Sequence, residues 1–256
     1  MNARQLFMAL VLCGLIIWWF DWPHVEMSAG ILQPPSLRHW MGTDALGQDV
    51  WLRLLDALPA TLVIAICCGI LPLAAGLVLA SLSTFGGRWV DRFLLKFTDV
   101  FMITPSILPL MIMSALLEPG VATVIFLISI LSWPDDFRVL RAAIQRQLFS
   151  DAVLSARQFG AGRLYLLRWH VWPVLLPLME ALILQNARRA VMLSAGLAFL
   201  GLTDPRLANW GTMLLDAQEQ IHHPAFWWML PGPLCAMTLL ILLLNNFNGK
   251  RSPERI

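Results

Sequence analysis

Long apolar blocks constrain the fold of this chain more than any other feature of its sequence. Hydrophobic residues make up 58% of the 256 residues and charged residues only 13%, and the mean hydropathy is +0.69. Soluble domains are less apolar and carry a larger charged fraction, roughly a quarter of their residues. Since a membrane span needs about 20 mainly apolar residues, the blocks predict an all-α protein that crosses a membrane several times.

Six spans with their connecting loops account for the length of the chain. They are predicted at residues 6–20, 58–82, 93–117, 121–133, 173–202 and 226–247. A cleaved signal peptide is the alternative for the first block. No small-residue cleavage site follows it, so we expect this block to be retained as a span. Pro72 should kink the second span, and outer loops are expected at residues 21–56 and 203–223.

The distribution of basic residues predicts the orientation of the spans. With the N-terminus inside, the inner segments hold thirteen Lys and Arg residues and the outer segments hold three. The inner set is Arg4, Arg88, Arg92, Lys96, Arg138, Arg141, Arg146, Arg157, Arg163, Arg168, Lys250, Arg251 and Arg255, and the outer set is Arg38, Arg53 and Arg206. Inner loops of membrane proteins are enriched in Lys and Arg, so we expect both termini to be cytoplasmic.

Residues 150–173 form a polar segment between two long apolar blocks. The segment holds helix-forming residues on either side of Gly160 and Gly162, and it contains no cluster of catalytic residue types. This composition predicts two short helices on the inner membrane surface, joined at a glycine hinge and available to a partner.

No catalytic or nucleotide-binding motif is present in the sequence. It lacks Gly-x-Ser-x-Gly, His-Glu-x-x-His and the phosphate-binding loop of ATPases. The four cysteines lie in apolar blocks, where they are expected to pack as small apolar residues, and His222-His223 is interpreted as part of a polar loop. The net charge of +2 is too small to indicate a nucleic-acid partner. We expect no catalytic residue, no resident metal and no cofactor in this chain.

Two charged pairs interrupt the predicted spans. Arg188-Arg189 lies within the fifth span, and Asp135-Asp136 follows the fourth. Each arginine at mid-membrane costs at least about 2.5 kcal/mol, so the arginines need water, a carboxylate of a partner subunit or an anionic substrate beside them. We hypothesise that they hold substrate carboxylates, which the forked guanidinium binds well; a structural ion pair with a partner subunit remains the alternative. The two aspartates lie either at the inner surface or along the same pathway.

The segment 150–173 resembles the cytoplasmic coupling loop, or EAA loop, of ABC importer permeases. Ser155 and Ala156 occupy its two alanine positions, and the sequence departs from the pattern where Leu154 replaces its glutamate and Val174 its asparagine. The resemblance implies that the segment docks on an ATPase. The residues carried over to this role are Leu154, Ser155, Ala156, Gly160, Arg163, His170 and Pro173.

Further motifs in the same order narrow the resemblance to permeases of the dipeptide, oligopeptide and nickel group. Residues 42–49 resemble the group's Gly-Thr-Asp-x-Leu-Gly-Arg-Asp signature, with Gln48 in place of the arginine; the matching positions are Gly42, Thr43, Asp44, Leu46, Gly47 and Asp49. Residues 196–202 and 209–214 resemble two later motifs. We divide the chain into a first span with an outer loop at 1–56, a transmembrane domain at 57–248 and a cytoplasmic tail at 249–256.

The resemblance implies a fold, a set of partners and a cargo class. The fold would be the six-helix type I importer permease fold with cytoplasmic coupling helices, in the bacterial inner membrane. Partners would be a second homologous permease, two ATPase subunits that bind ATP and Mg²⁺, and a periplasmic or lipid-anchored substrate-binding protein. The paired arginines favour a carboxylate-rich cargo such as a metal bound to an opine-type metallophore. A di- or oligopeptide, or nickel ion, is the alternative, and an ATPase-independent channel or an intramembrane enzyme is a further one.

Overall fold

The computed structural model of the protein describes residues 30–204 and 209–248. Within these ranges the chain is helical and contains no strand; Thr43 and Asp49 form an isolated antiparallel bridge. The helices are α1 (Val50–Phe85), α2 (Arg88–Ile103), α3 (Ile107–Leu116), α4 (Val121–Leu148), α5 (Asp151–Gln158), α6 (Arg163–Leu166), α7 (Trp172–Phe199), α8 (Trp210–Glu219), α9 (Phe226–Met229) and α10 (Pro231–Asn248). The predicted all-α class is confirmed for these ranges. The predicted first span, 6–20, and the tail, 249–256, lie outside them.

Several helices are long enough to cross a bilayer. Within the described ranges, α1 and the joined stretch Phe226–Asn246 are also apolar enough, and α2 with α3 makes a third span if this pair, bent by 82°, counts as one. Helices α4 and α7 each have 28 residues, about 42 Å at 1.5 Å per residue, but they carry charged side chains along their length. The arrangement of six spans therefore stays a prediction.

Two predicted span boundaries differ from the structure for local reasons. Helix α1 begins at Val50 and not near Leu58, because the Asp49 side chain accepts hydrogen bonds from the first-turn backbone and caps the helix. The predicted third span is broken after Ile103. Pro105 disfavours helical geometry at the residue before it, and Thr104 is accordingly extended, with φ −87° and ψ 124°.

The predicted outer loop at 203–223 contains a helix, so this prediction was wrong in part. Asn209 caps α8 by accepting a hydrogen bond from the Gly211 backbone. Trp210, Met213 and Ala217 share one buried face of this helix at helical spacing. The Trp210 indole also donates to the Leu54 carbonyl at 3.0 Å, which fixes α8 against the start of α1.

Helix α1 is the centre of the bundle and packs along both α4 and α7. Two glycines allow the close approach: a Cβ added at Gly69 would lie 3.1 Å from the Ile183 carbonyl oxygen of α7, and one at Gly76 would lie 2.8 Å from Asp136 Cβ of α4. Helix α4 continues without a break past Pro134, so the interruption of the apolar run there does not end the helix.

The contacts between helices place two functional regions at opposite ends of the bundle. Residues 30–49 adjoin the start of α1. Near the other end of α1, Arg141 of α4 donates to Ser83 at 3.1 Å, and further along α4 the Gln147 amide donates to the His170 carbonyl at 3.2 Å. The segment 150–173 therefore lies at the end of the bundle away from residues 30–49.

Candidate functional site

The segment 150–173, called the coupling segment below, forms two short helices as predicted. Helix α5 ends at Gln158, and the chain turns through Gly160, whose φ of +83° belongs to the left-handed region that favours glycine. Helix α6 then passes through a π-helical turn into α7. Val153 and Leu166 are buried and anchor the segment to the bundle.

Large apolar side chains of the coupling segment face outward. Phe159 is 90% exposed, and Leu154 and Tyr165 are exposed as well. Together with Gly160 and Gly162, two of these side chains, Phe159 and Tyr165, line a cavity of about 540 Å³. A patch of this kind at the end of a membrane bundle is suited to contact with another protein.

The residues assigned to coupling occupy different environments. Ser155 is exposed and Ala156 is half-buried on α5, while Pro173 is exposed at the start of α7. His170 is half-buried, with its ring edge-on to Tyr165 at 5.9 Å between centroids. The backbone of Arg163 begins α6, and its side chain lies outside the described part of the structure. The role of these residues in coupling stays a prediction.

A second group of polar side chains crosses the middle of the bundle between α4 and α7. The Arg189 guanidinium forms a salt bridge with Asp135, and its other terminal nitrogen donates to Ser106 Oγ at 3.3 Å. About one turn earlier on α7, the Asn186 side-chain amide donates a hydrogen bond to Asp136 of α4 at 2.6 Å. We call these five residues the mid-bundle cluster.

The mid-bundle cluster has a buried half and an open half. Asp136 and Asn186 are 1% and 4% exposed, whereas the side chains of Asp135 and Arg189 are 39% and 36% exposed. Ser106 lies at the break between α2 and α3, so the open half also touches the bent helix pair. The buried half ties α4 to α7, and the open half faces space that water or another molecule can enter.

Arg188 has different surroundings from its neighbour. Its guanidinium donates to the amide oxygen of Asn245 on α10, and its side chain is half-buried. Asn245 is neutral, so this hydrogen bond does not balance the arginine's charge. The sequence predicted water or charged groups of other molecules beside both arginines; the structure supplies a counter-charge within the chain for Arg189 and a neutral partner for Arg188.

A third group, residues 42–49, forms a compact loop at the start of α1. Gly42 and Gly47 have φ values of +70° and +76°. Thr43 is fully buried, and its hydroxyl donates to the Gly30 carbonyl at 2.7 Å. Asp49 caps α1 and also contacts His39 at 2.9 Å, while Leu46 is exposed.

Asp44 connects this loop to two helices. One carboxylate oxygen accepts from the backbone of Leu46 and Gln48, and the other accepts from Arg53 of α1 at 2.8 Å. Arg53 also pairs with Asp216 of α8 at 2.6 Å. The loop therefore has a structural function: its buried Asp44 pairs with Arg53 of α1, which in turn pairs with the partly exposed Asp216 of α8.

Comparison with known proteins identifies the family. Residues 73–248, more than half of the chain, match the family described as the binding-protein-dependent transport system inner membrane component. The protein belongs to this family. The permease is 32% identical to the di/tripeptide transport system permease protein DppC of Pseudomonas aeruginosa, over 94% of its own chain and 82% of the relative.

Two further relatives define the group within the family. The permease is 30% identical to the nickel transport system permease protein NikC of Escherichia coli K12, over 95% of its own chain and 90% of the relative. It is 27% identical to the oligopeptide transport system permease protein OppC of Bacillus subtilis, over 81% and 68%. The resemblance to ABC importer permeases of the dipeptide, oligopeptide and nickel group is confirmed.

The structure brings the predicted residues of the permease together in three separate places, not in one site. The coupling segment and the loop 42–49 each hold one predicted set, and the mid-bundle cluster holds Arg189, Asp135 and Asp136 of the third. Arg188, the remaining member of that set, contacts Asn245 of α10 instead. Sequence reasoning missed the polar partners Ser106, Asn186 and Asn245, and the ion-pair residues Arg53 and Asp216. An asparagine or serine within an otherwise apolar stretch indicates such a polar contact, because a polar group in the membrane needs a partner.

Proposed function

We propose that the permease forms half of the translocation pore of an ATP-driven importer and that its coupling segment is the surface held by the ATPase subunits. The observation that carries this proposal is the outward-facing apolar patch of the coupling segment, at the end of the bundle away from residues 30–49. Movement of that segment would be passed to the bundle through its two buried anchors, Val153 and Leu166.

The rest of the assembly follows from the family and from the charge distribution. A binding-protein-dependent system needs a substrate-binding protein on the outer side, and we assign two ATPase subunits, with their ATP and Mg²⁺, to the inner side. A second homologous permease completes the pore. Both termini lie in the cytoplasm, since thirteen of the sixteen Lys and Arg residues outside the Arg188-Arg189 pair then fall on the inner side.

Substitution of Phe159 by aspartate tests the proposed docking surface. Phe159 is 90% exposed, so Phe159→Asp should leave the fold intact while placing a charge in an apolar contact, and we expect the ATPase subunits to be lost on co-purification, with uptake falling at least tenfold. Leu37→Asp is the matched control, because Leu37 is fully exposed near the other end of the bundle. If both variants co-purify with the ATPase and transport alike, the coupling segment is not the docking surface.

The cargo we propose is a small carboxylate-bearing solute, and a di- or oligopeptide fits best. Two of the relatives described above are named for peptides. Arg188 is the group we assign to the cargo, because its charge is met only by the neutral Asn245 amide among the partners resolved for it. Arg189 is less suited to this role, since Asp135 already balances it.

Peptides with a free or an amidated C-terminus separate this role of Arg188 from a structural one. Amidation removes the terminal carboxylate, and a hydrogen bond to a charged group contributes about 1.5–3 kcal/mol. We expect Arg188→Ala to lower uptake of the free peptide roughly tenfold or more and to leave uptake of the amidated peptide unchanged. Arg188→Lys should retain part of the activity. Equal losses for both peptides, with the importer still assembled, would exclude a carboxylate contact.

Nickel is a second candidate cargo because the nickel permease relative is matched over nearly its whole length. Within the described ranges, no three His, Cys, Asp or Glu residues lie close enough to hold a metal ion. We therefore propose that any nickel passes as a complex with a carboxylate-rich chelator, of which an opine-type metallophore is one form. In that case Arg188→Ala lowers uptake of the chelated metal and not of the free ion.

A further inference from the structure

A long apolar groove opens between α1 and the start of α7, away from the mid-bundle cluster. Its volume is about 1160 Å³. Leu77, Val78 and Phe85 line it from α1, and Trp172 and Leu175 line it from α7. Val78 is 59% exposed, so the groove is open to the outside of the bundle at this position.

One cation stands on the wall of this groove. Among the described residues that line it, the charge is carried by Arg168, whose side chain is exposed. Trp169 and Trp172 follow Arg168 in the sequence and also line the groove. Tryptophan prefers the boundary between membrane and water, and an arginine beside an apolar surface keeps its guanidinium toward water. One end of the groove is therefore at the level of lipid headgroups.

We propose that this groove binds an anionic phospholipid of the inner leaflet. Acyl chains lie against α1 and α7, and the lipid phosphate accepts hydrogen bonds from Arg168. An apolar groove alone would take any lipid, but a basic group beside a groove between membrane helices selects an anionic headgroup. Placement in the inner leaflet rests on the proposed function, because the orientation puts the coupling segment in the cytoplasm.

The location gives the lipid a functional position. Arg168 belongs to the π-helical turn of the coupling segment that leads into α7. A lipid held there touches the connection between the surface proposed for ATPase docking and the bundle. Lipid binding itself involves neither the cargo nor ATP hydrolysis, so it can be measured separately from transport.

Native mass spectrometry of the assembled importer tests the headgroup contact. The detergent-purified complex is titrated with phosphatidylglycerol and, in parallel, with phosphatidylcholine. After collisional activation, we expect the phosphatidylglycerol adduct to be detected at a lower concentration of added lipid than the phosphatidylcholine adduct. Arg168→Ala should weaken phosphatidylglycerol retention roughly fivefold and should weaken phosphatidylcholine retention less, because its choline group already neutralises the phosphate. Arg38→Ala, which removes an exposed arginine near the other end of the bundle, should change neither.

A second pair of variants tests the acyl-chain contact. Val78→Trp fills the groove and should remove both adducts, whereas Val63→Trp, at an exposed position on α1 that does not line the groove, should remove neither. Equal retention of the two lipids, or equal effects of Arg168→Ala and Arg38→Ala, overturns the proposal. Loss of the partner permease in Val78→Trp without a change in bound lipid also overturns it, since the groove is then a protein interface. If lipid selectivity holds but Phe159→Asp has no effect on ATPase binding, the proposed function fails and the lipid site stands.

Discussion

The single residues that contact Arg188 and Arg189 explain how two adjacent arginines are tolerated on a membrane helix. Adjacent helical residues point about 100° apart, so the two side chains cannot share one partner. Arg189 turns toward Asp135 of α4, and Arg188 turns toward Asn245 of α10. The chain thus provides its own polar surroundings for both, and an additional carboxylate from another molecule is needed, if at all, only at Arg188.

The two neighbouring aspartates should differ in their contribution to stability. Asp136→Ala leaves the buried Asn186 amide without its acceptor, which costs about 1–3 kcal/mol. Asp135→Ala removes an ion pair whose members are both more than one-third exposed, and such pairs contribute about 1 kcal/mol or less. We expect thermal unfolding of the purified importer to shift further for Asp136→Ala. An equal or larger shift for Asp135→Ala would show that the open half of the cluster contributes to stability as much as the buried half does.

At the scale of elements, α1 organises the fold because it can approach two neighbours closely. Gly69 faces α7 and Gly76 faces α4, and in both places the neighbour's main chain is among the atoms a side chain would meet. Small residues allow this approach in membrane bundles, where packing replaces the hydrophobic effect as the source of association. The broken pair α2 and α3 follows from a different cause, the proline at position 105.

A matched pair of glycine substitutions tests the packing of α1. A Cβ at Gly76 would lie 2.9 Å from the Phe137 backbone nitrogen. The helices must therefore separate, at a cost of about 1–3 kcal/mol. Within the described part of the chain, no heavy atom other than those of near neighbours lies within 4 Å of a Cβ built at Gly196 on α7, and alanine there should be neutral or stabilise the helix by up to about 1 kcal/mol. We expect Gly76→Ala to lower the unfolding temperature and Gly196→Ala to maintain it. If the two substitutions change the unfolding temperature equally, α1 and α4 are less tightly packed than the distances at Gly76 indicate.

At the scale of the whole molecule, the two ends of the bundle have different chemistry. One end carries the loop 42–49, fixed by the Asp44–Arg53–Asp216 ion pairs. The opposite end carries the coupling segment with its exposed apolar patch. A bundle with one fixed end and one end available to a partner fits a transport subunit that is moved from the cytoplasmic side.

Cysteine labelling tests this orientation directly. In a background where the four native cysteines are replaced by alanine, Leu37→Cys should react with a membrane-impermeant maleimide in intact spheroplasts. Ser155→Cys should react only after the membrane is opened, because the proposed orientation places the coupling segment in the cytoplasm. Both positions are exposed, so lack of access to the side chain does not explain a difference. The reverse pattern of labelling would invert the proposed topology.

The local sequence predicted features that depend on neighbouring residues only. The coupling segment forms two short helices around Gly160, because helix-forming residues and a left-handed glycine act within a few positions. The start of α1 was predicted too late, since the cap formed by Asp49 lies ahead of the apolar block from which the span was predicted. The outer loop was predicted without α8, whose buried face needs α1 and α7 to cover it.

By itself the sequence determined that the chain is a helical membrane protein with a polar coupling segment, because apolar content, block length and glycine placement are properties of the chain alone. Only the tertiary structure decided the partners of the charged residues. Arg189 and Asp135 are 54 positions apart, and Arg53 and Asp216 are more distant still. Such pairs depend on which faces of packed helices meet, and that is set by close contacts such as Gly76 against Asp136, which no local pattern contains.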